Sequence, residues 1–121
     1  MTNIIESIAD VRQAFEAATE FETLPPLHPG EILREDFMVP LGLSAGAVAK
    51  ALSLPRSRIE RIVREEIGIS TDTALRLARL FRTSAEFWTN LQARFERETL
   101  LAEIGTELAS IEPLAQEAQA A

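Results

Sequence analysis

Ser44-Ala45-Gly46-Ala47-Val48-Ala49-Lys50-Ala51-Leu52-Ser53-Leu54-Pro55-Arg56-Ser57-Arg58-Ile59-Glu60-Arg61-Ile62-Val63-Arg64 is the stretch that decides the fold. Two short helical patterns meet at Ser53-Leu54-Pro55, as in a helix-turn-helix. Ala49 falls where the helices would cross, and its small side chain lets them approach closely. Val48, Leu52, Leu54, Ile59 and Ile62 are the apolar positions that lock two helices at a steep angle. The second helix then turns Arg56, Ser57, Arg58, Arg61 and Arg64 outward. An apolar back with an arginine front suits the major groove of DNA, where guanidinium forks bind guanine and grip phosphate. Such turns commonly hold glycine, because the chain there often needs positive φ. Ser53 stands in its place, so the turn either accepts a left-handed serine or takes another form. The plainer reading is an ordinary helical hairpin with a solvated basic face.

Charge distribution favours the DNA reading despite a net charge of −7. Residues 1–27 hold five acids and one base, and residues 99–121 hold four acids and no base. Within 44–64 there are five bases and one acid, so basic charge is focused on the helix-turn-helix. The acidic flanks also suggest a basic protein partner. The chain has 121 residues and no cysteine, which allows one domain with extensions and excludes disulfides and thiolate metal sites. No apolar run approaches the roughly 20 residues needed to span a bilayer, and the acidic first 20 residues are unlike a secretory signal. A cytoplasmic protein with no membrane partner is the expectation.

Outward from the centre, the pattern predicts only helices. Ile4, Ile5, Ile8, Val11, Phe15 and Ala18 recur at helical spacing and predict an amphipathic helix over 3–19. Pro25, Pro26 and Pro29 break it and form a stiff connector. A helix is expected from Pro29-Gly30-Glu31, with Ile32, Leu33 and Phe37 inward, ending before Pro40 and Gly42. Ser44 should cap a helix over 45–52, and the recognition helix should run from Pro55 to about Val63. Ser70 should cap a helix through Phe81, with Asp72 in its first turn and Ala74, Leu75, Leu77, Ala78 and Phe81 in the core. Ser84 should cap a fifth helix with Phe87, Trp88, Leu91 and Phe95 as its apolar side. That pattern continues through Leu101, Ile104, Leu108 and Ile111, with Gly105 a weak point and Pro113 a stop. The expected organisation is 1–27, an amphipathic helix and connector; 28–98, a helix-turn-helix domain; and 99–121, a helical extension and tail.

Residues 28–98 resemble the HigA family of antitoxins, a branch of the Xre/Cro-type helix-turn-helix regulators. The resemblance is carried by His28-Pro29-Gly30-Glu31-Ile32-Leu33, by Thr73 to Phe81 (TALRLARLF), and by Thr83 to Phe95 (TSAEFWTNLQARF), at the family's usual spacing. It implies an all-α, five-helix, lambda-repressor-like domain, here with an extra N-terminal helix and an extended C-terminal one. It also implies a homodimer, double-stranded operator DNA and a RelE-like, mRNA-cleaving partner toxin, with repression of the operon that encodes the pair. After the recognition helix the family often has a short basic loop, whereas this chain reads Arg64-Glu65-Glu66-Ile67-Gly68. Those two acids should weaken any contact from the loop to phosphate.

Individual residues then take expected roles. Arg56, Ser57, Arg58 and Arg61 are candidates for base edges, and Lys50 and Arg64 for phosphates, which give affinity without sequence information. Glu60 either accepts from a cytosine amino group or pairs with Arg56 or Arg64 and orients it. Arg76, Arg79 and Arg82 read as a solvated face. His28, the sole histidine, reads as a helix-start residue rather than a base, and no metal, cofactor or enzyme site is expected. The 3–19 helix and the 100–111 seam have three candidate jobs: own-domain packing, dimerisation or toxin binding. For the first, toxin contact through Ile4, Ile8, Val11 and Phe15 leads, because RelE-like toxins are typically basic. For the second, packing or dimerisation leads. The rival functions are a free-standing repressor with no toxin and, more distantly, an adaptor that has lost DNA binding.

Overall fold

The computed structural model describes residues 24–115. The helix expected over 3–19, with Ile4, Ile8, Val11 and Phe15, lies outside them, as do the last residues of the tail. The described residues are all-α, with no strand. Five helices follow the connector, and among the described residues none is long and apolar enough to cross a membrane.

The first helix, α1, has three parts: α-helical Pro29–Ile32, π-helical Leu33–Met38 and α-helical Val39–Leu41. His28 caps it: its Nδ1 accepts the Gly30 N–H at 2.9 Å, and Pro29 follows at the first position, where a missing N–H costs nothing. The helix was expected to end before Pro40, but it runs through Pro40 to Leu41 and closes at Gly42 with φ 63°. The reason lies in the wide turn. The Val39 N–H bonds to the Arg34 carbonyl, so the ladder is already opened where proline has no N–H to give.

Serines cap three of the next four helices, as the sequence predicts. Ser44 caps α2 (Ala45–Leu52), Ser70 caps α4 (Thr71–Phe81) and Ser84 caps α5 (Ala85–Ala109), each accepting the N–H three residues on. Between them, α3 is Arg56–Val63. Pro55, the predicted first residue, is instead its extended N-cap, so the helix starts one residue later than expected, because a ψ of 140° keeps Pro55 outside it. Ser53 takes the left-handed option, with φ 58° and ψ 44°, and the Leu54 N–H closes the turn on the Ala49 carbonyl at 2.9 Å. The last helix kinks at Ile104, next to the predicted weak point Gly105. It ends at Ala109, so Ile111 lies beyond it.

One core joins the five helices. Leu33, Val48, Ala49, Leu52, Ile59, Ile62, Ala74, Leu77 and Trp88 are all buried in it. Phe37 leans on it, with ring centroids 4.9 Å from Phe81 and 5.0 Å from Trp88, and the Trp88 Nε1–H donates to Thr83 Oγ1 at 2.8 Å. Leu75 was expected in this core but is 57% exposed. Ala74 and Leu77 already fill the inward side of α4, and Leu75 lies toward its edge.

Candidate nucleic-acid interface

The interface is built on α3, whose two sides differ completely. Ile59 and Ile62 are fully buried, while Arg56, Ser57, Arg58, Arg61 and Arg64 are all exposed. Ala49 is buried where α2 meets α3, consistent with its predicted crossing role. The first turn of α1 seats the back of α3. A Cβ built at Gly30 would lie 1.9 Å from the Ile62 carbonyl oxygen, so only glycine permits this approach.

Two arginines secure the helix-turn-helix from outside it. Arg34 of α1 donates from Nη1 to the Val63 carbonyl at 2.5 Å, satisfying an end carbonyl of α3. Arg76 of α4 donates from Nη1 to the Leu52 carbonyl at 2.7 Å, doing the same for α2, and also bonds Asp72. Arg76 was expected on a solvated face. It is instead half-buried, because the end of α2 presents an unpaired carbonyl within its reach. Neither bond is readable from periodicity, since each joins residues far apart in sequence. Gln92 is a third missed contributor: its Oε1 accepts the Ile69 N–H at 2.8 Å and ties the loop after α3 to α5.

The front of α3 carries an ion-pair network. Glu60 lies between Arg56, at 2.5 Å, and Arg64, at 3.6 Å, so the pairing alternative is realised in the free chain. Glu66 lies 3.6 Å from Arg61, and Glu65 lies 3.4 Å from Arg34. The two loop acids are therefore matched to arginines rather than left facing outward alone. Among the described residues, Arg58 and Lys50 make no ion pair.

His28 confirms its helix-start reading. It is buried, its Nδ1 is occupied by the Gly30 N–H, and its ring meets Phe95 edge-on at 4.7 Å. Burial lowers its pKa, with Arg34 adding to the effect and Glu65 opposing it, which keeps the ring neutral as a cap acceptor.

The helix-turn-helix family pattern matches residues 33–88. The chain is 55% identical over 73 residues to virulence-associated protein I of Dichelobacter nodosus, covering 60% of this chain and 68% of that one. Among solved structures it is similar to the Pseudomonas aeruginosa antitoxin HigA with the higBA promoter. That match has a TM-score of 0.72 and 47% identity, and covers 74% of this chain and 98% of that one. A HigA-family addiction module antidote protein from Coxiella burnetii matches with a TM-score of 0.70 and 38% identity, over 74% of this chain and 99% of that one.

The chain belongs to the HigA family. It has the five-helix frame of its HigA relatives, and its own α3 carries an exposed arginine front. In the loop after α3, Glu65 and Glu66 are taken up in ion pairs with Arg34 and Arg61.

Proposed function

We propose that this chain is the antitoxin of a type II toxin–antitoxin system. It binds operator DNA as a dimer, represses its own operon and neutralises a RelE-like, mRNA-cleaving toxin in the cytoplasm. The observation that carries the DNA part is the exposed arginine front of α3 over a fully buried back, in a chain 47% identical to an antitoxin solved with its promoter. In this reading Arg56, Ser57, Arg58 and Arg61 contact base edges, and Lys50 and Arg64 contact phosphates. One short helix reads few base pairs, so a dimer would place two copies of α3 in successive major grooves, about 34 Å apart. The functional division is 1–27 for toxin contact and connection, 28–98 for DNA and 99–121 for extension and tail. The residues assigned to toxin contact are Ile4, Ile8, Val11 and Phe15, apolar positions at helical spacing in an acidic stretch that suits a basic partner.

A mobility shift on the DNA upstream of the gene, across a salt series, tests the DNA role. Arg56→Ala and Arg61→Ala relax base preference, a bidentate contact being worth roughly 1–3 kcal/mol of discrimination. Lys50→Ala weakens all sequences alike and flattens the salt slope by about 0.9 per lost contact. A Lys50→Ala chain with altered sequence preference and an unchanged slope would overturn these assignments. For the toxin, the full chain should co-purify with a small basic protein encoded beside its gene, and a chain beginning at Leu27 should keep DNA binding but lose that partner. Absence of any such protein would favour a free-standing repressor.

A further inference from the structure

Arg56 and Arg61, five residues apart on the exposed side of α3, each have a carboxylate nearest their Nε, as a hydrogen bond for Arg56 and as a looser ion pair for Arg61. Arg56 meets Glu60 through Nε, at 2.5 Å, and the closest approach of Arg61 to Glu66 is also through Nε, at 3.6 Å. A guanidinium has a second edge, formed by its two Nη groups, and that edge is the fork that matches guanine O6 and N7. A carboxylate at Nε therefore fixes the side chain without consuming the edge that reads a base. Arg64, assigned to phosphate, is held differently, through Nη2. The stem of Arg56 passes close to the first turn of α2: a Cβ built at Gly46 would lie 3.7 Å from its Cδ, an ordinary contact distance.

A carboxylate on a surface meant for a polyanion is an electrostatic liability. The stability gained from an exposed pair at this spacing is slight. Glu60 is nevertheless the most buried side chain of the network, at 29% exposed against 74% for Arg56.

We propose that Glu60 and Glu66 are positioning residues for DNA recognition, each holding a reading arginine by Nε so that its Nη edge is presented to a base. This rests on the DNA-binding reading above. It makes discrimination, rather than affinity, the quantity the acids control. On arbitrary DNA an arginine must leave its carboxylate to neutralise a phosphate, an exchange of one ion pair for another. At a guanine the Nη edge gains two hydrogen bonds while the Nε contact persists. The acids thus suppress non-specific binding and leave specific binding intact. Lys50, with no carboxylate to leave, remains free to follow the backbone.

The test uses the full chain and two duplexes of equal length, one from upstream of the gene and one scrambled. Glu60→Ala should lower the ratio of the two affinities by about tenfold, the scale of one good base contact. In a double-mutant cycle with Arg56→Ala, run in an Arg64→Ala background because Glu60 also pairs with Arg64, the second substitution should add nothing, since Glu60 then acts through Arg56 alone. Glu60→Gln keeps an acceptor for Nε and should restore base preference at the position Arg56 reads. Glu66→Ala with Arg61→Ala repeats the cycle at an exposed site, should Glu60→Ala not fold. A ratio within twofold of the parent chain in both cycles overturns the proposal. So does additivity, which would mean that Glu60 contacts a base itself. If the parent chain does not distinguish the two duplexes, the DNA-binding reading fails and this proposal falls with it.

Discussion

Ile59 and Ile62 on the back of α3 are fully buried, whereas Leu100, Leu101 and Leu108 on the outer part of α5 are 50%, 55% and 39% exposed. Both segments show apolar residues at helical spacing. The difference lies in what meets them. The back of α3 is met by α1, at a glycine that lets the backbones nearly touch, and by α2, at the small Ala49. The core contribution of α5 comes from Trp88 and Leu91 near its start, and no later residue of the helix joins that cluster. Periodicity reveals that a face is apolar. Whether something covers it depends on partners elsewhere, and for α3 those partners are small residues at specific places.

Opening the core that holds α1, α4 and α5 together behind the first region should have the largest effect. Trp88 is fully buried among Phe37, Phe81 and Phe87. Trp88→Ala should cost about 3–5 kcal/mol, read by urea unfolding, and leave Thr83 without its indole donor. Gly30→Ala should come next. The added methyl meets backbone at Ile62, which cannot rotate aside, so a loss of about 3 kcal/mol is expected, at the upper end for overpacking. Because the clash pushes on α3 itself, DNA affinity should fall further than stability alone accounts for. A Gly30→Ala chain of unchanged stability would mean that α1 does not seat α3 as described.

The turn offers a gain instead of a loss. Ser53 sits at φ 58°, where a Cβ is strained, so Ser53→Gly should stabilise by about 0.5–1 kcal/mol after the added freedom of the unfolded chain is counted. Thermal unfolding is the measurement, and a lower melting temperature would show that the serine is not strained.

A finer probe of the α1–α3 seat uses pH. Burial holds the folded pKa of His28 below its ordinary value of 6.5, near which the unfolded chain titrates. Below 6.5 the unfolded chain takes up a proton that the folded chain refuses, so stability falls as pH drops through that window and levels off beneath the folded value. Above it His28 contributes no pH dependence. His28→Asn keeps a cap acceptor and should flatten the fall between pH 7.5 and the acid side of this window. Urea unfolding of both chains across that range checks it.

What the sequence made legible follows from range. Ser44, Ser70 and Ser84 announce their helices because a cap acts over three residues, and the arginine front of α3 is visible because it is one face of one helix. The π turn of α1 is not legible. Its wide geometry brings Phe37 onto Phe81 and Trp88, partners far along the chain, and carries the helix through Pro40 against the local signal. Leu75 misleads for a related reason: spacing gives its angle on α4 but not the width of the covered face. Arg34 and Arg76 each bind a carbonyl on another helix, at Val63 and Leu52, and nothing near either residue in sequence marks that role.

The smallest expected effect on folding belongs to the uncovered region, and it sharpens the comparison most. Leu101→Ser with Leu108→Ser removes two exposed side chains beyond the core cluster. For the single chain, such surface changes should stay within about 0.5 kcal/mol. A contiguous apolar face is rarely left in water, however, and a second copy of the chain is the occupant the proposed dimer supplies. The parent chain should then melt at a temperature that rises with protein concentration, and the double variant should lose that dependence while keeping its dilute-limit stability. Sedimentation of both chains at micromolar concentration provides the independent measurement. If the variant instead loses about 2 kcal/mol or more at high dilution, the face is covered within its own chain. The contrast between α3 and the outer part of α5 would then be one of which segment supplies the cover, and the dimer would have to form elsewhere.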